Sequence, residues 1–455
     1  MKPAAAHHDE SDTRITTLLN GVRVLTLHMP QALTASVGIF VHSGSAHESR
    51  PLNGVGHFVE HMLFKGSHSR DCHRINLDAE MLGAEVNAHT DKDHTAFYMR
   101  GVAADAPQFV AMLADIVCNP SFPAAEIERE REVLLQELME VEDDPMDTAF
   151  QLFDQACWGL HPAAQPVIGS RGNLQRLARA DLAACVEQQY TGANMVVAAA
   201  GCIDAAQIVQ AARVAFAALP RGSEHHIAAP AWAGGVRSRR LAGTGQTHIV
   251  LGYPLPALGA GDAALDAACE MAAAVFGEGM SSPLLAELRE RRGLVYHASC
   301  AADRFEFGGQ FVIEASFAPA KLEELLREVM RLLRQHAERI DSVDLARARK
   351  QLTVRLLRHQ ERASRRIEAS VLELFALGRL RPMTQRLDAL AAVSAAQVRA
   401  VFASLLQAPQ ALAITGAVGR AVAQRALAAI GGFDTSDIVV GGGEGVERSG
   451  GGTGC

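Results

Sequence analysis

Aromatic residues are scarce in this 455-residue chain, at 5%, yet hydrophobic residues reach 49% and charged ones 21%. The core must therefore come from aliphatic side chains, and there is enough apolar surface for a folded rather than a disordered chain. Long apolar runs are missing too. The nearest to a membrane span, Ala263 to Phe276, is interrupted by Asp266 and Glu270, whereas a span needs roughly 18 uncharged apolar residues. The opening MKPAAAHHDESDTR lacks the apolar core of a secretory signal, so the expectation is a soluble, cytoplasmic protein with no membrane partner. No Lys/Arg-dense tract stands at either terminus, and 43 basic against 51 acidic residues leave a net charge of −8. Nucleic-acid affinity rests largely on neutralised phosphates, so no nucleic-acid partner is expected. Eight cysteines are spread along the chain without a CxxC pair, which fits free, mostly buried thiols in a reducing compartment.

What is present is enough chain for two or three domains, at roughly 100–200 residues each. Ile15 to Met29 alternates apolar and polar residues around Asn20-Gly21, a strong hairpin signal. Strand and helix patterns then follow: a strand at Ala35 to Val41, helices near Val55 to Phe64 and Ile75 to Leu82, and strands at Glu85 to His89 and Thr95 to Arg100. Helices at Pro107 to Val117, Ala124 to Val141 and Met146 to Cys157 precede a strand at Met195 to Ala200 and a helix at Ala205 to Ala217. Pro220 to Gly235 is rich in Pro and Gly without periodicity, as expected of an exposed linker. Beyond it the order of elements repeats, with strands at His248 to Tyr253, Leu294 to Ala301 and Gly309 to Ser316, and helices at Ala263 to Phe276, Pro283 to Arg291, Leu322 to Ala337 and Val343 to His359.

Aligning EIEREREVLLQEL from Glu126 with DLARARKQLTVRL from Asp344 gives an offset of 218 residues, close to half the chain. The expected fold is α+β, two similar mixed sheet-and-helix halves from a duplicated unit. They are placed at 13–222 and 236–432, followed by a Gly-rich, disordered tail over 433–455. The two aligned helices differ in charge. Glu126 to Asp144 carries nine acids and two arginines, whereas Leu345 to Arg366 carries eight basic residues and one Glu. Either these are solvated faces that drifted apart, or they face each other or a common substrate chamber and steer substrate.

The chemistry-bearing motif is His57-Phe58-Val59-Glu60-His61. On a helix, His57 and His61 share one face a turn apart and can grip one metal ion, while Glu60 stands beside them as a base. This H-x-x-E-H order inverts the H-E-x-x-H zinc peptidase motif. A catalytic zinc needs a third protein ligand. Glu130 and Glu137, seven apart on the acidic helix, can supply it, and the pattern alone does not choose between them or exclude Glu126 and Glu140.

Three segments, GHFVEHMLFKG (Gly56 to Gly66), LGAEVNAHTDKDHTAFY (Leu82 to Tyr98) and EREREVLLQE (Glu128 to Glu137), resemble the pitrilysin/insulinase family of zinc peptidases, which includes the mitochondrial processing peptidase β subunit. The resemblance extends over nearly the whole chain. It implies one Zn2+ per chain on His57, His61 and Glu137, with Glu60 as catalytic base and Glu130 supporting a ligand from behind. It also implies substrate binding by Asn87 and Ala88 on an edge strand, and by Arg289 and Tyr296 in LRERRGLVY. Pro283 stands where the family often has Arg. The second half lacks the motif, since AALDAACEMAAAVFGEGM has no histidine, and is expected to bind and enclose substrate without cleaving it. Members of this length form half a clamshell, which implies a homodimer, with a heterodimer of related chains as the other arrangement.

Other histidines have plainer readings. His89 and His94 are expected as exposed turn residues, His225-His226 as linker residues and Cys455 as an exposed thiol in the tail; His68, Cys72 and His73 lack ligand spacing. The function expected is a zinc metalloendopeptidase hydrolysing peptides or flexible protein segments, with processing as a candidate role. The alternative is a non-catalytic peptide-binding or scaffold subunit of a peptidase heterodimer.

Overall fold

The computed structural model describes residues 12–417 except 242, together with 419, 424, 427, 428, 439 and 440. The chain opens with the expected hairpin, β1 (Thr13–Thr17) and β2 (Arg23–His28), turned at Gly21 with a φ of 92°. There follow β3 (Thr34–Val41), α1 (Val55–Leu63), α2 (Cys72–Met81), β4 (Glu85–Thr90), β5 (Thr95–Val102), α3 (Ala106–Cys118), α4 (Ala124–Asp143), α5 (Pro145–Trp158), α6 (Arg171–Arg176), α7 (Arg179–Gln189), β6 (Met195–Gly201) and α8 (Ala205–Ala215). A connection without regular structure then leads into β7 (Gly235–Arg240). The second half continues through β8 (Thr247–Leu255), α9 (Ala263–Gly277), α10 (Pro283–Leu285), β9 (Val295–Arg304), β10 (Gly309–Phe317), α11 (Leu322–Glu338), α12 (Ser342–Glu361), α13 (Ala363–Leu377), α14 (Met383–Ala392), α15 (Ala395–Gln407), β11 (Ala411–Gly416) and β12 (Val439–Val440).

The two sheets have matching orders, β1-β2-β6-β3-β5-β4 and β12-β7-β11-β8-β10-β9. The 218-residue offset recurs in α4 and α12, which begin at Ala124 and Ser342, and in α5 and α13, which begin at Pro145 and Ala363. Equivalent side chains do equivalent work. The Arg131 guanidinium donates to the carbonyl of Leu177 after α6 (2.8 Å), and that of Arg349 to Val393 after α14 (2.7 Å). The halves are therefore duplicated in interactions as well as in outline.

Alternating strand residues explain what lies on each sheet face. In β6, Met195, Val197 and Ala199 join a core with α1, α3 and α8, while Val196, Ala198 and Ala200 pack on the opposite face. That opposite face is covered by Ile367, Val371 and Leu374 of α13, a helix from the second half. The reciprocal holds: α5, from the first half, lays Ala149, Phe153, Ala156 and Cys157 on Val250, Ala411 and Ala413 of the second sheet. Small residues let the crossing helix approach. A Cβ on Gly252 of β8 would stand 2.4 Å from the Phe153 ring.

Several expectations change. Pro283 to Arg291 is not one α-helix: after α10 the turns widen into a π-helix over Ala286–Arg291, which lets Arg291 (2.8 Å) and Arg292 (2.9 Å) both reach the Glu287 carboxylate. Val439–Val440 lie inside the stretch expected as a Gly-rich tail, yet they pair in parallel with Arg237 and Ser238 of β7; residues 441–455, Cys455 included, lie outside the described residues. The basic helix α12 packs on α9, α13 and α14 and the acidic helix α4 on α1, α5 and α6, so each serves its own half. Among the described residues no disulfide is present, and no single helix is long and apolar enough to cross a membrane.

Because each sheet is covered by a helix from the other half, a cavity under α5 should weaken both. Phe153 is 1% exposed, and Phe153→Ala should cost about 3–5 kcal/mol, seen in urea as one shifted transition by both secondary- and tertiary-structure probes. A loss below about 1 kcal/mol, or two separated transitions, would show that the exchanged helix does not couple the halves.

Candidate metal centre

Helix α1 presents the motif because its apolar residues Val55, Phe58, Val59, Met62 and Leu63 are all buried, leaving His57 and His61 on the other face. Its N-terminus is fixed by Glu48, a residue the sequence reading did not single out. One carboxylate oxygen accepts from the Gly54 amide (2.8 Å) and from the Asn53 side chain (2.9 Å), and the other accepts from the Gly56 amide (2.7 Å). An anion here suits the helix dipole and its free amides. Gly54 has a φ of 96° and lies against the backbone of Gly169, so a side chain there has no room.

Helix α4 packs on α1 and brings Glu130 and Glu137 to the histidines. His57 Nε2 lies 3.8 Å from Glu137 Oε1, and His61 Nε2 lies 3.6 Å from Glu137 Oε2. One ligand atom from each of the three residues falls within 4.8 Å of the other two. These separations are too long for hydrogen bonds and match groups gathered around a shared cation. Behind them, His61 Nδ1 is 3.3 Å from Glu130 Oε2, and Lys65 Nζ is 2.7 Å from Glu130 Oε1. A carboxylate only accepts, so Glu130 places the His61 proton on Nδ1 and turns the Nε2 lone pair toward Glu137. Burial, with His61 adding to it, lowers the His57 pKa to about 4, which keeps this imidazole neutral. Two imidazoles and one carboxylate form a donor set that fits zinc.

Glu60 is 9% exposed, and its Oε2 accepts from the Thr90 hydroxyl at 2.5 Å. Burial raises its pKa, opposed by this hydrogen bond and by His61. Thr90, also missed in the sequence, ends β4, the open edge strand of the first sheet. On that strand Asn87 pairs with Tyr98 of β5 and Ala88 with Phe97, and the Ala88 amide donates to the Asn87 side-chain oxygen (2.8 Å). The edge that carries Asn87 and Ala88 thus also orients Glu60.

Arg289 and Tyr296 are not brought to this cluster. Arg289 lies in the π-helix beside Met280 and Glu290, and Tyr296 is 64% exposed on β9, the edge strand equivalent to β4. In the second half, α9 occupies the place of α1. By the 218-residue offset, Arg355 stands where the first half has Glu137 and Ala348 where it has Glu130. Arg355 pairs with Glu278 (3.0 Å), so this copy has no ligand set. His94 is not an exposed turn residue either. It is 2% exposed and bound to Asp93 (2.7 Å), with its Nε2 3.2 Å from that of His89. His225 likewise departs from a plain linker role: its amide donates to Asn194 (2.7 Å), and its ring bonds the His42 carbonyl (2.9 Å).

Burial raises the Glu48 pKa from 4.5 to about 7, against the amide hydrogen bonds that favour its anion. A raised folded pKa means the stabilisation of the protonated form is complete below the unfolded value and is lost as pH rises through about 7. The shift corresponds to about 3 kcal/mol. Glu48→Gln, which cannot ionise, should therefore gain stability relative to the parent between about pH 4.5 and 7. A difference in urea midpoint that stays flat over that range would show that Glu48 does not titrate as a buried group.

Residues 23–171 match the family model "Insulinase (Peptidase family M16)", and residues 176–352 match "Peptidase M16 inactive domain". An uncharacterized zinc protease of Mycobacterium bovis is 32% identical over 92% of this chain and 97% of its own length. Subunit 1 of the mitochondrial cytochrome b-c1 complex of Bos taurus is 33% identical over 65% of this chain and 58% of its own. Among solved structures, a peptidase M16 inactive domain from Pseudomonas fluorescens superposes with a TM-score of 0.82 at 20% identity, covering 90% of this chain and 99% of that one. A protease from Helicobacter pylori gives 0.81 at 19%, covering 89% and 99%. By sequence over both halves, this chain belongs to the M16 (insulinase) peptidase family.

Proposed function

We propose that the protein is a zinc-dependent endopeptidase acting on extended peptides or flexible protein segments, with processing of such segments as a candidate role. The observation that carries this reading is the convergence of His57, His61 and Glu137 within 4.8 Å, beside a buried Glu60 that feels the charges of both His61 and Glu137. The zinc-protease names of the mycobacterial relatives support the same metal.

In this reading His57, His61 and Glu137 hold the ion, which when bound supplies Lewis acidity and lowers the pKa of water toward about 7. Glu60 takes a proton from the attacking water and passes it to the leaving amine. Its raised pKa suits both halves of that transfer, and Thr90 holds the carboxylate oxygen in place. Glu130 orients His61, and Lys65 balances the Glu130 charge. Asn87 and Ala88 hold an extended substrate by adding it to the open edge of β4. Arg289 and Tyr296 sit away from this cluster, which supports a homodimer, or a heterodimer with a related chain, in which a second half closes over a partner's site.

The competing reading, a non-catalytic peptide-binding or scaffold subunit, is favoured by one observation, the bovine relative named as a cytochrome b-c1 subunit. Chelator-sensitive cleavage of a quenched fluorescent peptide, together with zinc that is lost on His61→Ala, supports the enzyme. Absence of both supports the subunit. Glu60→Gln should retain zinc and lose about 10²–10⁴-fold in kcat, and undiminished turnover would remove Glu60 from the base role. Glu130→Gln should weaken zinc binding by about 10–100-fold in competition with a chromogenic chelator; unchanged affinity would deny Glu130 its orienting role.

A further inference from the structure

A second set of ligand-type side chains converges between the halves, and the peptidase reading makes no use of it. His42 follows β3, His47 ends the short 3₁₀ turn Ser45–His47, and Glu306 lies in the turn between β9 and β10. Two of these residues come from the first half and one from the second. One ligand atom from each lies within 4.8 Å of the others, and His42 Nε2 is 3.0 Å from Glu306 Oε2.

These groups are short of partners. His47 Nε2 and Glu306 Oε1 are buried without a hydrogen bond, and His42 Nε2 has only its contact with Glu306; His42 as a whole is 7% exposed. Buried polar atoms are normally satisfied, so such atoms gathered beside a third ligand-type atom point to a common partner. The rings are also held in position. His42 stacks on Phe375 of α13 at 4.6 Å and 14°, and meets His47 edge-on at 5.3 Å, with His225 at 5.7 Å from His47.

We propose that His42, His47 and Glu306 form a second divalent-metal site of the zinc class, distinct from the His57 cluster, that ties the two halves together. Two imidazoles and a carboxylate suit zinc, and water can complete four-coordination. Ligation through His47 Nε2 puts the ring proton on Nδ1. The Gly44 amide, now donating to Nδ1 at 3.1 Å, must then turn away. That cost makes this site weaker than the His57 cluster.

The test uses the full chain with the first site removed, so its outcome does not depend on peptidase activity. The His57→Ala/His61→Ala variant, purified from zinc-supplemented medium, should retain one zinc per chain by elemental analysis. EDTA should lower its Tm, and Co2+ added to the stripped protein should develop visible ligand-field absorption. Adding Glu306→Gln, which keeps the shape of the side chain, should abolish the zinc, the EDTA effect and the Co2+ spectrum. Adding His42→Ala should abolish them too. The Tm of the Glu306→Gln protein in EDTA, close to that of its parent in EDTA, guards against misfolding. No metal above background in the His57→Ala/His61→Ala chain overturns the proposal. So does retained metal that neither further substitution removes.

Discussion

The structure depends on a coverage problem: the central strands of both sheets are buried on both faces, and each sheet takes the cover of one face from the other half. In β6 the run Met195 to Gly201 is buried throughout, as is β11. One face of each sheet is met by helices of its own half, and the other by a helix exchanged with its counterpart, α13 on the first sheet and α5 on the second. Leaving either face open would expose a large apolar surface to water, which is strongly unfavourable. Each half is therefore complete only with the other. The exchange also sets where ligand-bearing loops meet, since Phe375 of α13 stacks on His42 at the end of β3.

Within that frame, the candidate metal centre is positioned by buried carboxylates. Glu48 anchors the start of α1 through backbone amides, and Glu130 fixes the tautomer of His61 at its end. Glu60 is steadied from β4 by Thr90. Each is a charged or polar group removed from water, costly unless partnered, and each has a partner that also orients the site. A helix held at both ends and by a strand leaves little freedom to the two histidines. The edge strand β4 and Glu60 are linked through Thr90, so the strand sets the Glu60 rotamer.

Much of this was legible in the sequence because it is local or periodic. Asn20-Gly21 marks a hairpin, HFVEH places two imidazoles on one helical face, and the Glu126/Asp344 alignment gives the 218-residue offset that α4, α5, α12 and α13 keep. What was not legible depends on long-range contact. Glu48 looks like any loop acid until it meets the amides of Gly54 and Gly56. Thr90 is one strand residue among many until the sheet brings it to Glu60. His94 lies in a polar turn, yet burial against Asp93 gives it a structural place. The exchange of α5 and α13 leaves no local signal, because an amphipathic helix carries no mark of which sheet it covers.

At the faces they turn to their neighbours, α4 and α12 meet opposite electrostatic surroundings. On α4, Glu130 and Glu137 point to two imidazoles and the space between them, where negative charge favours a cation. On α12 the equivalent face meets the C-terminus of α9, whose free carbonyls form the negative end of the helix dipole. Arg347 donates to the carbonyls of Val275 (2.9 Å) and Glu278, and Arg355 binds the Glu278 side chain. Of these two only Arg355 stands where the first half has an acid, Glu137, since Arg347 is equivalent to Arg129; an acid at 355 would face Glu278 without a cation between them. The Arg355 guanidinium removes that repulsion, and Arg347 satisfies the helix end. The exchange of Glu137 for Arg355 thus accompanies a second copy without the histidines, and the whole-chain value of −8 conceals the opposite signs of the two helices.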